Sequence, residues 1–278
     1  MNNTPTIVAA DGHVHIYPAY DIKGVFRRLI QNLDRIAAVA GCAESGMSGN
    51  KIHKLAFLAE GREHDFFSRI QDHDKAIVGD SLEITNEPDP VCVTVSLCEV
   101  GRVCLVAGRQ IVTRERLEIL GLAMREKIPD GLPARDVMQR IGEAGGIPVL
   151  SWSPGKWLFA RGRRVRNLIE NDQDRVLRLG DTTLRPKLWP EPQLMRLARE
   201  RGLTIIPGSD PLPFAGEERY AGTYGFIYRG AFDTSRPIAS ITHMLAGPAA
   251  ITPVGARCGT LTVALRLYQL QTMTKDGL

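Results

Sequence analysis

The spacing of hydrophobic and polar positions changes along the chain. Residues 6–10 form a short apolar run that ends at Asp11-Gly12, which is typical of a buried strand. Apolar residues then recur three and four positions apart from Asp21 to Gly41. This spacing predicts a helix that Asp21 caps and Gly41 ends. A strand followed by a long amphipathic helix is the usual opening of an α/β layer fold.

From about residue 76 the period of the apolar positions changes to two, which indicates strands. Antiparallel strands are predicted at residues 77–85, 91–97 and 102–108, and the same sheet is expected to continue through 110–113 and 117–123. Pro- and Gly-containing stretches at 87–90 and 99–101 supply the turns. We therefore expect an antiparallel β-hairpin insertion over residues 76–113.

Strand and helix patterns alternate again in the second half of the chain. Helices are predicted at residues 133–144, 165–170, 192–201, 238–245 and 261–270, and strands at 147–152, 176–179 and 203–207. Residues 41–50 are rich in Gly and Ser, so a loop is expected there. No internal repeat or linker-like composition divides the sequence. The pattern predicts one α/β domain over residues 1–278.

Composition narrows the class of protein. The chain is 44% hydrophobic, which excludes disorder, and its net charge of +4 is too small to indicate nucleic acid as a partner. No apolar run approaches the roughly 20 residues of a membrane-spanning helix. Residues 1–5 lack the features of a signal peptide. The five cysteines form no CxxC pair, so we expect reduced structural thiols in a cytoplasmic protein.

Two histidines follow the first predicted strand. His13 and His15 are two residues apart, so on a strand both imidazoles project to the same side and can bind one ion. Asp210 follows the strand predicted at 203–207 and is expected at the same rim, as a metal ligand or a base. The alternatives are plain loop histidines and an aspartate that caps a turn.

Positive side chains cluster after the strand predicted at 147–152. They are Lys156, Arg161, Arg163 and Arg164, and Arg185 follows the next predicted strand. Guanidinium groups bind phosphate through paired hydrogen bonds, so this cluster predicts an anionic substrate. The alternative is a solvated helix start, where arginine is common.

The other candidate residues have weaker patterns. Glu118 joins the site if its strand turns it inward, and the alternative is an exposed strand residue. His53, His64 and His73 lie between the first helix and the hairpins and are interpreted as surface residues. His243 is interpreted as a residue on a helix face. The Pro- and Gly-rich loop after Asp210 is of the kind that can close over a site.

The order of these motifs resembles the polymerase and histidinol phosphatase (PHP) superfamily. The matching pieces are the HxH at 13–15, Gly-Arg-Gln-Ile at 108–111, Leu-Glu-Ile-Leu-Gly-Leu at 117–122, residues 145–150 followed by Ser153-Pro154, and Pro-Gly-Ser-Asp at 207–210. The resemblance implies a distorted seven-stranded α/β barrel. It also implies metal-dependent phosphoester hydrolysis with up to three ions held by His, Asp and Glu. The amidohydrolase superfamily is a weaker match, because its further histidines are missing.

Three metal-ligand positions of the PHP pattern carry other residues in this chain. Gln110 replaces a glutamate, and Ser153 and Leu212 each replace a histidine. Only His13, His15 and Asp210 match ligand positions directly. Fewer charged ligands cannot hold several mutually repelling cations. We therefore expect one divalent ion, Zn, Mn or Fe, with an ion-free protein as the alternative.

Two functions are compatible with these residues. The first is a PHP-like metal-dependent hydrolase that acts on a phosphorylated or otherwise anionic small molecule through a reduced site. In it His13 and His15 ligate the ion, while Asp210 and Glu118 take part in catalysis. The second is a catalytically degenerate PHP-like barrel that binds a ligand or partner.

Overall fold

The computed structural model describes residues 6–42, 52–79, 81–247 and 250–275. Its strands are β1 (Thr6–Val14), β2 (Ile52–Leu58), β3 (Leu82–Asn86), β4 (Cys92–Leu97), β5 (Gly101–Val106), β6 (Gly108–Val112), β7 (Glu118–Leu122), β8 (Ile147–Ser151), β9 (Arg178–Thr182), β10 (Ile205–Gly208), β11 (Tyr224–Gly230) and β12 (Ile251–Gly255). Its α-helices are α1 (Ile22–Ala37), α2 (Phe66–Gln71), α3 (Lys75–Val78), α4 (Ala134–Glu143), α5 (Phe159–Glu170), α6 (Gln193–Glu200), α7 (Pro237–Met244) and α8 (Thr260–Lys275).

The strands form two sheets. The first has seven strands in the order β12-β11-β1-β2-β5-β4-β3, and β1, β2 and β5 are parallel to one another. The second has five strands in the order β10-β9-β8-β7-β6, with β8, β9 and β10 parallel. Mixed α/β architecture, as predicted, is therefore confirmed.

Helix α1 covers one face of the first sheet. The Asp21 carboxylate caps it by accepting the Gly24 N–H at 3.1 Å, and Gly41, with φ 71°, follows its end. Phe26, Leu29 and Leu33 are fully buried in one cluster with strands β4 and β5. The periodicity of the sequence predicted this helix correctly.

The other face of the first sheet packs against the second sheet. Val8 and Phe57 of the first sheet share an apolar cluster with Leu120, Val149 and Ile206 of the second. The two sheets also meet at their edges. Glu60 forms a parallel bridge with Arg109, and the Asp210 N–H donates to the His13 carbonyl at 2.9 Å.

A closed seven-stranded barrel is not shown. In the described part of the chain the ladders belong to two separate sheets, and the first sheet is not closed. The antiparallel strands β3, β4 and β5 extend the first sheet outward from β2. They lie within the segment where the insertion was predicted.

Several predicted strand positions were wrong. Residues 75–78 form helix α3, because the Asp74 carboxylate caps the N–H of Ala76, and the strand begins only at Leu82. Strands β6 and β7 pair in the second sheet and do not continue the hairpins. Strands β2, β11 and β12 were not predicted, and most of the loop expected at 41–50 lies outside the described residues.

No helix among the described residues has the length and apolar character needed to cross a bilayer. The side chains of Cys92, Cys98, Cys104 and Cys258 are free thiols.

Candidate metal site

Two glycines allow β1 and β10 to approach closely. A Cβ on Gly208 would lie 2.4 Å from the Cβ of His13, and a Cβ on Gly12 would lie 2.3 Å from the Cγ2 of Ile206. Only glycine leaves room for this approach. The end of β1 and the residues after β10 therefore meet although they belong to different sheets.

The side chains of His13, His15 and Asp210 converge at this meeting point. The Nε2 atoms of the two histidines are 2.9 Å apart, and each lies 3.5 Å from Asp210 Oδ1. All three side chains are buried. The structure thus brings together the three residues that the sequence predicted as metal ligands.

The geometry and donor chemistry of this cluster fit a divalent ion. A point equidistant from the three ligand atoms lies about 1.9 Å from each, close to the roughly 2.0–2.1 Å of Zn–N and Zn–O bonds. Two imidazoles and one carboxylate suit Zn or Fe. Among the described His, Cys, Asp and Glu residues, these three form the group whose ligand atoms are close enough together to hold a metal ion.

A neutral hydroxyl lies on the other side of the His13 ring. Ser151 Oγ, at the end of β8, is 3.4 Å from His13 Nδ1. The Gln110 side chain also acts on this ring, because it raises the pKa of His13 against the effect of burial. Burial lowers the pKa of His13, which favours the neutral imidazole that binds metal. A partner at Nδ1 orients the ring so that Nε2 faces the other ligands.

The carboxyl of Asp210 stays ionised at neutral pH. Burial disfavours its charged form, but the imidazoles of His13 and His15 and the guanidinium of Arg266 together lower its pKa to about 2. Asp210 also has a φ of 50°, in the left-handed region that non-glycine residues rarely adopt.

Asp11 supports the site through hydrogen bonds to its backbone, a role that was not predicted. Its Oδ1 accepts the N–H groups of His13 and Ser209, at 3.1 and 2.8 Å, and its Oδ2 accepts that of Gly222 at 2.8 Å. Burial raises its pKa to about 6. The Asp-Gly-His run was the available signal, since a buried strand that ends in aspartate needs partners for that carboxylate.

Glu118 lies inside the site's wall and is not an exposed strand residue. Its side chain, 15% exposed, pairs with the Lys156 ammonium and accepts the Ser153 hydroxyl at 2.7 Å. Its charge acts against burial, in the direction that raises the pKa of His13. Glu118, Ser153 and Lys156 therefore form one network.

Tyr17 and His64 extend the site and were not predicted to do so. The Tyr17 ring stacks on His15 with centroids 5.2 Å apart, and His64 meets Tyr17 edge-on at 5.4 Å. Tyr17 continues the alternation of 13 and 15, so the strand period could have indicated it. His64 was interpreted as a surface residue, but it is half-buried because its ring packs against Tyr17, and the Arg109 guanidinium donates to its carbonyl at 2.7 Å.

The arginines predicted to bind an anion differ from one another in exposure and in partners. Arg163 and Arg164 are exposed on α5, and Arg161 donates to the Gly155 carbonyl at 3.0 Å in the loop that carries Lys156. Arg185 is buried, and its guanidinium binds the Asp181 carboxylate through two hydrogen bonds of 2.6 and 2.5 Å.

No family model matches the sequence, and no curated protein matches it. Among solved structures, PsfC from Pseudomonas syringae PB-5123 aligns with a TM-score of 0.56 at 12% identity, covering 97% of this chain and 99% of PsfC. The two proteins share a fold.

Two further structural neighbours are longer proteins. One is a two-domain protein from Bacteroides vulgatus ATCC 8482 that contains a predicted PHP-like metal-dependent phosphoesterase, with a TM-score of 0.46 at 12% identity. It is covered over 65% of its length by 90% of this chain. The other is the lesion-specific endonuclease PfuEndoQ from Pyrococcus furiosus, with a TM-score of 0.49 at 10% identity. It is covered over 58% of its length by 89% of this chain.

Proposed function

We propose that this protein is a PHP-like hydrolase that uses one divalent ion to cleave a phosphorylated or otherwise anionic small molecule. The observation that carries the proposal is the convergence of His13, His15 and Asp210, with spacing suited to one ion. The order of the sequence motifs supports it. A bound ion would supply Lewis acidity and make hydroxide accessible near neutral pH.

The chain's own residues would divide the remaining work. Ser151, at His13 Nδ1, would hold the ring so that its Nε2 faces the ion. Glu118, close to His13, is the proposed second acid–base group beside Asp210. It is paired with Lys156 in the free protein, so substrate binding would have to share or replace that pair.

Lys156 and the arginines of α5 are the proposed anion ligands. Lys156 is 30% exposed, so its ammonium is accessible from the solvent side of the network with Glu118. Arg161, Arg163 and Arg164 follow in the same segment. Arg185 keeps its proposed role at the rim, but its charge is already balanced by Asp181, so it is the weakest member of this set.

The distorted barrel of seven strands remains part of the proposal. Strands β1, β2 and β6 to β10 would form it. The Glu60–Arg109 bridge and the Asp210–His13 hydrogen bond support closure at the two seams between the sheets. The cytoplasm is the proposed location, since free thiols are typical of a reducing compartment.

A second function is favoured by two substituted ligand positions. Where the PHP pattern has a glutamate and a histidine, Gln110 and Ser153 offer an amide and a hydroxyl. A site of this kind can retain ligand binding without turnover. The alternative is therefore a catalytically degenerate protein that binds an anionic ligand or a partner.

Metal analysis tests the proposal first. Protein purified without chelator and incubated with Zn²⁺, Mn²⁺ or Fe²⁺ should hold about one ion per chain, and His13→Ala and Asp210→Asn should lose it. His243→Ala is the matched control, because His243 is exposed on α7. An ion-free wild type, or an unchanged His13→Ala, would contradict the proposal. Phosphatase assays with the same ions then separate a hydrolase from the binding protein.

A further inference from the structure

The backbone of Ser209 and Asp210 has a partner at every polar group. The two N–H groups donate to Asp11 Oδ1 and to the His13 carbonyl, at 2.8 and 2.9 Å. The Ser209 carbonyl accepts the Thr183 hydroxyl, and the Asp210 carbonyl accepts Arg266 Nη2 at 3.2 Å. Three of these partners come from the strands and turns that form the site, whereas Arg266 comes from the distant helix α8.

Arg266 is a buried cation whose charge is fully balanced. Its side chain is 3% exposed, and its Nε and Nη2 donate to the Glu217 carboxylate at 2.6 to 3.0 Å. Its Nη1 donates to Thr183 Oγ1 at 2.9 Å, so it supports the hydroxyl that holds Ser209. Glu217 is completely buried and also accepts the Leu212 N–H at 3.0 Å.

These contacts surround a residue in a strained conformation. A φ of 50° is unfavourable for an aspartate, so Asp210 keeps it only where neighbouring groups hold the backbone. A return to negative φ would rotate the peptide carbonyl away from Arg266. It would also move the carboxylate away from the two imidazoles.

We propose that Arg266 is a positioning residue, which holds the Asp210 carbonyl so that the carboxylate faces His13 and His15. Helix α8 is then part of the metal site although it contributes no ligand. The expected effect on metal affinity rests on the proposed function. The effect of Arg266 on the Asp210 backbone can be tested in the metal-free protein.

The surroundings of Arg266 favour this role over a purely structural ion pair. Binding Glu217 occupies only Nε and one N–H of Nη2. The remaining N–H groups reach the Asp210 carbonyl and the hydroxyl that holds the preceding carbonyl. A lysine could balance the charge of Glu217, but it could not reach these partners at once.

Cobalt binding is the first test. Co²⁺ affinity and the visible d–d spectrum should be measured for the wild type, Arg266→Lys and Arg266→Met. We expect the Kd for Co²⁺ to rise about 10- to 100-fold in both variants, with a changed spectrum. Arg257→Met is the matched control, because Arg257 donates to the carbonyls of Pro186 and Lys187 and not to that of Asp210. Variants that keep the wild-type Kd and spectrum would overturn the inference.

Hydrogen exchange in the metal-free protein separates the two proposals. Peptides that contain residues 209–212 should exchange faster in Arg266→Lys than in the wild type, while Arg257→Met leaves them unchanged. If the wild type binds no Co²⁺, the proposed function fails, and the positioning role is then decided by exchange alone. Unchanged exchange would overturn it.

Thr183→Val covers the case in which the arginine variants do not fold. Valine has nearly the shape of threonine and leaves the Arg266–Glu217 pair in place, but it removes the hydroxyl bonded to both Arg266 and Ser209. We expect the same direction of change in Kd and in exchange. A wild-type Kd together with wild-type exchange would contradict the inference.

Discussion

The ring of Tyr17 stacks on the imidazole of His15, a proposed metal ligand. The interplanar angle with His15 is 20°, and the ring also contacts Tyr20 and His64 edge-on. Burial raises the pKa of the Tyr17 phenol, assisted by the charges of Asp210 and Glu118, so the hydroxyl remains protonated and is a hydrogen-bond donor. The stacked ring therefore limits the rotamers of His15.

Substitutions at Tyr17 should separate the ring from the hydroxyl. Tyr17→Phe keeps the stacked ring, so we expect a metal Kd within about twofold of the wild type. Tyr17→Ala frees His15, and loss of an orienting neighbour should raise the Kd about tenfold or more. Calorimetric titration with Zn²⁺ measures both. Equal effects of the two substitutions would contradict a role for the ring.

At the scale of residues, the sequence predicted that His13, His15 and Asp210 lie together, but not the side chains that surround them. His13 and His15 follow from strand alternation, and Asp210 from its place after a strand. The partnership of Glu118 with Lys156 could not be predicted, because it depends on how β7 and the loop after β8 align across a sheet. The position of His64 depends on a guanidinium 45 residues away.

At the scale of elements, Arg109 joins strand β6 to the segment that follows β2. Its guanidinium lies 3.4 Å from Glu60 Oε2 and 3.0 Å from Asp65 Oδ1, and it donates to the His64 carbonyl. Both Arg109 and Glu60 are buried. This ion pair lies at the seam where the two sheets meet, so it couples their edges.

Removing the cation from this seam should be costly. Arg109→Met leaves the Glu60 carboxylate buried without its partner, and we expect a loss of about 3–5 kcal/mol in the free energy of unfolding. In Glu60→Gln/Arg109→Met no buried charge is left unpaired at position 60, so the loss should be smaller than the sum of the single losses. Urea unfolding of the wild type, Glu60→Gln, Arg109→Met and the double variant gives the coupling energy between the two residues. Additive losses would contradict the coupling.

Glu60 should also give the stability a recognisable pH dependence. Burial raises its pKa above the ordinary 4.5, although Arg109 and the Phe67 N–H act in the opposite direction. The folded state then holds this proton more tightly than the unfolded chain does. The contribution of protonated Glu60 to the free energy of unfolding is fully present below about pH 4.5. It is lost as the pH rises through the pKa of Glu60 in the folded state.

The wild type should therefore lose stability relative to Glu60→Gln as the pH increases. Urea unfolding of both proteins at several values between pH 4 and 8 gives the difference in free energy at each pH. A difference that is constant, or that favours the wild type more at higher pH, would show that the Arg109 pairing outweighs burial.

Elements with a long regular period were predicted better than short ones. Helix α1 has four turns of apolar spacing and an aspartate cap, so local sequence was sufficient. Strand β2 was missed because His53 and Lys54 interrupt its apolar pattern, and the partners that stabilise it, β1 and β5, are distant in sequence. The assignment of β6 and β7 to the second sheet likewise depends on long-range pairing.

At the scale of the molecule, the candidate metal site lies between the two sheets. His13 lies near the end of β1 in the first sheet and His15 directly follows that strand, while Asp210 follows β10 in the second sheet. The glycines at 12 and 208 allow these two edges to approach closely. An ion bound by all three ligands would link the sheets directly, so it would act on the stability of the entire fold and not on one loop.

Metal binding should therefore raise the melting temperature of the whole chain. An ion that binds only the folded state, at a free concentration of 100 times its Kd, adds about 2.7 kcal/mol, which for a chain of this length corresponds to about 5 °C or more. Calorimetry with EDTA and with added Zn²⁺ measures the shift. We expect one cooperative transition in both conditions, because the ligands lie in both sheets. His13→Ala should melt at the same temperature with or without Zn²⁺, and a shift that persists in this variant would place the stabilising ion elsewhere.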